Sequence, residues 1–207
     1  MNDLKSEVAS FMARLYDRGL TTAGGGNVSA REGDVMYITP SGGDKSCIPT
    51  SMIAAVDIES GANMTPHIRL SIEAEMHRAV YQAYDDVHAV VHSHPLHASM
   101  FSALEESIDT HFIAESYYLL GEVVKAPYAL MGTKELAENV CRALAGVKAV
   151  LLENHGALTT GATLLQAFER MEVLENAARM TYMCAQRLHP LLLDETRLDE
   201  IKRNFGG

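Results

Sequence analysis

Positive charge is scarce in this chain. Its Lys and Arg residues number 17 against 27 Asp and Glu, which leaves a formal net charge of −10. A polyanion needs a field of the opposite sign, so neither a nucleic acid nor an anionic membrane is expected as a partner, although a few local donors can still hold a small phosphorylated metabolite. Cysteine is also rare. Cys47, Cys141 and Cys184 show no pairing pattern, which excludes a disulfide scaffold or a closed cysteine zinc site, and unpaired thiols fit a reducing cytoplasm. No apolar run is long enough to span a bilayer. The opening stretch Met1–Met12 carries Asp3, Lys5 and Glu7 where a signal peptide would be apolar. No repeat, low-complexity tract or linker interrupts the chain, so a single globular domain over residues 1–207 with a substantial core is expected.

What is present centres on Val87–His97, V-H-A-V-V-H-S-H-P-L-H. Side chains alternate faces along a strand, so His92 and His94 project to one side, and Pro95 ends the run. Two ligands do not hold a metal. A second buried run, Val147–His155, also ends in a histidine, followed by Gly156. If the two strand ends meet, His155 is the third nitrogen, and three imidazoles with one open position compose a catalytic zinc site.

Elsewhere the spacing predicts a helix over Asp3–Arg18, short strands at Val35–Thr39 and Ala55–Ile58, and a helix over Ser71–Tyr84 with Ser71 as its N-cap. Glu73 then lies in the first turn, with His77 one turn on and within hydrogen-bonding reach. A short helix at Ala98–Leu104, a strand at Ala126–Leu130, helices over Lys134–Ala145 and Leu164–Arg187, and a weaker helical pattern over Asp194–Arg203 complete the reading. Ser107–Val124 has no clear pattern, and Ala157–Gly161 reads as a turn. Thr22–Arg31 reads as a glycine loop, in which Gly24, Gly25 and Gly26 free backbone amides to converge on an anion. Ser41 and Gly42 form a second small-residue turn.

Six stretches occur in order: G-G-N-V-S-A-R (Gly25–Arg31), T-P-S-G (Thr39–Gly42), S-x-E-x-x-x-H (Ser71–His77), A-V-V-H-S-H-P (Ala89–Pro95), A-P-Y-A-L-M-G-T (Ala126–Thr133) and L-L-E-N-H-G-A (Leu151–Ala157). Together they resemble the class II aldolase and adducin family, and within it the L-fuculose-phosphate aldolase branch. The resemblance implies an α/β fold, a three-layer α/β/α sandwich with a central, largely antiparallel sheet, in a homotetramer with active sites between subunits. It implies one Zn2+ per subunit on His92, His94 and His155, with Glu73 as catalytic acid/base. Asn27, Ser41, Gly42 and Ser71 match the family's phosphate-holding positions. The implied reaction cleaves a small ketose 1-phosphate to dihydroxyacetone phosphate and an aldehyde through a metal-stabilised enediolate, with no Schiff-base lysine.

The chain departs from the family pattern at two places. Ile72 stands where a second serine precedes the glutamate, while Arg69 just upstream can add charge. The tyrosine that protonates the leaving oxygen from a neighbouring subunit aligns with Ile113, next to Phe112, so Tyr117 or Tyr118 has to substitute, or a different acid, or the reaction differs. Related dehydratases, decarboxylases and 4-epimerases share the metal and the carboxylate, but the epimerase pattern has aspartate at position 73. A non-catalytic adducin-like interaction module would be expected to lose the ligands that this chain keeps.

Overall fold

A computed structural model of the chain describes residues 3–185 and 195–205. Its strands β1 (Asn27–Glu32), β2 (Val35–Ile38), β3 (Ala54–Asp57), β4 (Ala89–Ser93), β5 (Val123–Ala126), β6 (Ala149–Leu152) and β7 (Gly156–Gly161) form one seven-stranded sheet of order β3-β2-β1-β4-β7-β6-β5. Only β5 and β6 run parallel; the other neighbours are antiparallel. The helices are α1 (Leu4–Asp17), α2 (Ala74–Ala83), α3 (Leu96–Ser102), α4 (Ala114–Leu120), α5 (Lys134–Ala143), α6 (Leu164–Cys184) and α7 (Glu195–Phe205).

Strand alternation divides the core into two layers. Val28, Ala30, Ala89, Val91, Ala149, Leu151 and Ala157 pack with α1, α3, α4 and α6. Met36, Ile38, Val90, Val150, Leu152 and Leu158 pack with α2 and α5 on the opposite face. The result is the expected α/β/α arrangement around a largely antiparallel sheet. Caps fix several helix starts: Asp3 accepts from the Lys5 amide, Thr133 from that of Leu136 and Thr163 from that of Gln166.

Local boundaries differ from the sequence reading for identifiable reasons. Residues Asn27–Glu32 are strand rather than loop, because N-V-S-A-R alternates and pairs with both β2 and β4. Gly156–Gly161 is likewise a strand, small in composition but buried throughout. The expected strand at Ala126–Leu130 is instead β5, Val123–Ala126, after which Pro127 interrupts the ladder. The strand predicted to run to His155 stops at Leu152. Residues 186–187, at the end of the predicted last long helix, and Asp194 lie outside the described residues.

The seam between α2 and β1 is polar. Since Val28 and Ala30 face the other layer, Asn27 and Ser29 face α2. Asn27 Nδ2 donates to Glu73 Oε2 at 2.8 Å, and Ser29 Oγ hydrogen-bonds with both His77 Nδ1 and Tyr81 Oη at 2.7 Å. Glu73, His77 and Tyr81 succeed one another at four-residue intervals, so they lie on one side of the helix. The Glu73–His77 side-chain bond that lay within reach is not made: Ser29 engages His77 Nδ1 while Asn27 donates to Glu73. Burial and the neighbouring His92, opposed by Glu73, push the His77 pKa down to about 3.

Candidate active site

His92 shares the α2-facing side of β4 with Val90, and it pairs directly with Asn27 across β1 and with Leu158 across β7. His94 follows the strand end. His155 lies in the tight turn between β6 and β7, where Asn154 adopts a left-handed conformation (φ 54°) that asparagine tolerates better than most residues. The three rings converge, with centroids 4.9 Å (His92–His94), 4.8 Å (His92–His155) and 5.3 Å (His94–His155) apart. One nitrogen from each lies within 4.8 Å of the others, so the group can hold a metal ion.

The hydrogen-bonding pattern fits such an ion. His92 Nδ1 lies 2.9 Å from the Ala157 carbonyl, which can only accept, so Nδ1 carries the proton and Nε2 turns a lone pair toward the cluster. All three Nε2 atoms are buried without a hydrogen-bond partner. Leaving such a nitrogen unpaired costs about 1–3 kcal/mol, a cost that a bound cation removes. Burial, with His92 and His155 nearby, pushes the His94 pKa down to about 4, which keeps its ring in the neutral, metal-binding form.

Glu73 faces this cluster from the start of α2. It is the residue before the helix rather than one in its first turn, and Ser71 is not the N-cap. Instead Ser71 Oγ accepts from the Glu73 amide at 3.3 Å and from Asn27 Nδ2 at 3.1 Å, leaving its own proton free to donate. The carboxylate oxygens stand 3.2 Å from His92 Nε2 and 3.2 Å from His155 Nε2. His92 therefore presents a bare lone pair to a carboxylate oxygen unless a proton or a metal ion lies between them. Burial opposes ionisation of Glu73, but positive charge at His92, the Asn27 amide and positive charge at His155 outweigh it and hold the carboxyl well below the usual range.

The glycine loop lies against the histidines and lines the same pocket. A Cβ on Gly25 would lie 2.9 Å from His94 Nδ1, and one on Gly26 would lie 2.7 Å from the His92 carbonyl. The close neighbours of Gly25 are all side chains, so Gly25→Ala should fold and displace the His94 ring instead. The expected result is a metal affinity lower by on the order of 10- to 100-fold, the range for disturbed ligand support, measured by competition with a chromogenic chelator. Unchanged affinity would show that the loop does not position His94.

Asn27, Ser41, Gly42, Ser71, Glu73, His94 and His155 all line one pocket of about 200 Å³, beneath which lies the fully buried His92. Ile72 and Met131 stand at the same pocket. Arg69 is exposed and is not among its lining residues. Tyr117 and Tyr118 line a separate pocket with His111, and neither is among the lining residues of the pocket of His94 and His155 in its own chain. Sequence reasoning missed Lys45, which lines the site although it is only 2% exposed. Its setting, G-G-D-K-S, reads as a solvated turn, and only the rarity of buried lysine marks it afterwards.

The family model described as "Class II Aldolase and Adducin N-terminal domain" matches residues 6–182. The chain belongs to this family. The L-fuculose phosphate aldolase of Methanococcus maripaludis is 33% identical over 82% of this chain and 91% of its own length. The 3-oxo-tetronate 4-phosphate decarboxylase of Haemophilus influenzae is also 33% identical, over 81% of each chain. A solved structure of an L-fuculose 1-phosphate aldolase superposes with a TM-score of 0.90 at 33% identity, covering 100% of this chain and 98% of that one. Like its relatives in the class II aldolase family, the chain is an enzyme. Among the described residues no helix is long and apolar enough to cross a membrane.

Proposed function

We propose that this enzyme is a metal-dependent aldolase cleaving a small ketose 1-phosphate, of the L-fuculose 1-phosphate type, to dihydroxyacetone phosphate and an aldehyde. The observation that carries the reading is the set of three unpartnered Nε2 atoms with the Glu73 carboxylate 3.2 Å from two of them. His92, His94 and His155 would hold a divalent cation, zinc in this reading, which would supply Lewis-acid chemistry at the substrate carbonyl.

The chain's own groups do the rest. In cleavage one carbon–carbon bond breaks, its electron pair passes toward the carbonyl, and the hydroxyl on the departing carbon loses its proton to become the aldehyde. The carbon left behind needs a proton, and Glu73 is the group placed to take one up from water and pass it on, ending as the carboxylate it began as. Asn27 holds Glu73 in place while Ser41, Gly42 and Ser71 present donors to the phosphate. The proposal includes a single domain over residues 1–207, a cytoplasmic location, and a homotetramer in which a neighbouring chain supplies the group that takes the hydroxyl proton. Exposed Ile72, Tyr128, Leu130 and Met131, at 53%, 58%, 63% and 52%, support a partner surface in this region.

A substrate screen of the metal-loaded protein tests the reading by following dihydroxyacetone phosphate, water loss and carbon dioxide together. Release of dihydroxyacetone phosphate with a matching aldehyde is expected. Carbon dioxide from a phosphorylated 3-oxo acid, without aldol cleavage, would assign the decarboxylation that the Haemophilus relative's identity also supports. Phosphorylated ketoses should have a higher kcat/KM than their unphosphorylated counterparts. Ile72 cannot hydrogen-bond, and one neutral hydrogen bond contributes about 0.5–1.5 kcal/mol, so Ile72→Ser should lower KM for the phosphorylated form by about two- to tenfold. Equal efficiency on both forms in the parent would remove phosphate from the substrate class.

A further inference from the structure

Lys45 is the only cationic side chain that lines the candidate pocket among the described residues. Gly42 and Gly43, at φ 74° and 78°, turn the chain back so that Lys45 Nζ donates to the Pro40 carbonyl at 2.9 Å. Its backbone amide donates to Ala23 at 2.9 Å, and the Ser41 amide to Arg69 at 3.0 Å. The T-P-S-G turn is thereby tied to the glycine loop on one side and to the approach to Ser71 on the other. Lys45 sits where these segments meet.

Its partners do not account for its charge. Lysine is rarely this buried without a carboxylate, yet none lies within ion-pair distance of Nζ among the described residues. The Pro40 carbonyl accepts one of three N–H bonds. An unpaired ammonium inside a pocket of a chain with net charge −10 is therefore an unanswered cost unless an anion completes it. Burial lowers the Lys45 pKa below its ordinary value, and the Glu73 carboxylate opposes that shift. The neutral donors of Ser41, Gly42 and Ser71 border the same space.

We propose that Lys45 is the residue that makes this pocket select a phosphate, pairing its ammonium with the ester while the neutral donors orient it. This rests on the sugar-phosphate reading of the site and assigns within it the charge that no motif supplied. The loss of a hydroxyl at Ile72 is then tolerable, since a charge-assisted bond is stronger than a neutral one.

The experiment compares the metal-loaded parent with Lys45→Met and Lys45→Arg. It measures KM and kcat for a phosphorylated ketose and its unphosphorylated counterpart, and competitive inhibition by inorganic phosphate. Lys45→Met should raise KM for the phosphorylated form and the phosphate inhibition constant by on the order of a hundredfold, collapsing the preference between the two forms. Lys45→Arg should restore most of it. In the unaltered protein, inorganic phosphate should also shift the nitrogen NMR signal of the Lys45 side chain, which tests the contact even if Lys45→Met folds poorly. A parent that prefers the phosphorylated form while Lys45→Met retains that preference, or while phosphate leaves the Lys45 signal unchanged, overturns this inference and leaves the proposed reaction standing. A parent indifferent to phosphate overturns the substrate class and the inference together.

Discussion

His155→Ala should leave a folded protein with almost no metal and no measurable turnover. Neither ring nitrogen of His155 has a hydrogen-bond partner, so removing the ring breaks no hydrogen bond and loses only the 3.2 Å approach of Nε2 to Glu73. The backbone amide that closes the turn, donating to Leu152 at 3.0 Å, remains. The loss falls on the metal, because His92 and His94 alone supply two nitrogens where a zinc site takes at least three protein ligands. Plasma mass spectrometry of the purified parent should find about one zinc per chain, and the variant should fall far below that. Full zinc occupancy in the variant, with its circular dichroism unchanged, would show that the ion is held elsewhere.

Glu73→Gln separates holding the metal from using it. The substitution keeps the shape, and a glutamine oxygen can still accept from Asn27 Nδ2, which now donates to Glu73 at 2.8 Å. The three histidines are untouched, so metal content should match the parent. An amide cannot carry the proton, and turnover should drop by on the order of a hundredfold to ten-thousandfold, the range for losing a general acid or base. Single-turnover kinetics with a phosphorylated ketose would make the comparison at the chemical step. Parent-like turnover would leave Glu73 as a buried partner of Asn27 and the histidines.

The histidine face was legible because strand parity is local. His92 and His94 were expected on one side of the strand, and their ring centroids lie 4.9 Å apart. Pairing is not local, and there the reading failed. Nothing in T-T-G announces a buried strand, yet β7 lies between β4 and β6 and its Ala157 carbonyl orients His92. Ser71 looked like an N-cap because serine before an apolar stripe usually is one; here Asn27, distant in sequence, donates to its oxygen and the helix begins later. Lys45 was invisible for a similar reason. Its burial comes from contacts with Pro40 and Ala23 that depend on two positive-φ glycines.

The polar seam under α2 has a consequence for how the carboxylate is delivered. An apolar helix can creep along a sheet and lose only some packing, since dispersion contacts are interchangeable. Asn27 and Ser29 instead engage Glu73, His77 and Tyr81 one by one. Sliding α2 by a single turn, about 5.4 Å, would set His77 against Asn27 and carry Glu73 off the strand, stranding buried donors and acceptors. The seam thus works as a ratchet pawl: intermediate positions are penalised, and the register in which the carboxylate meets the histidines is the one that leaves these pairs made.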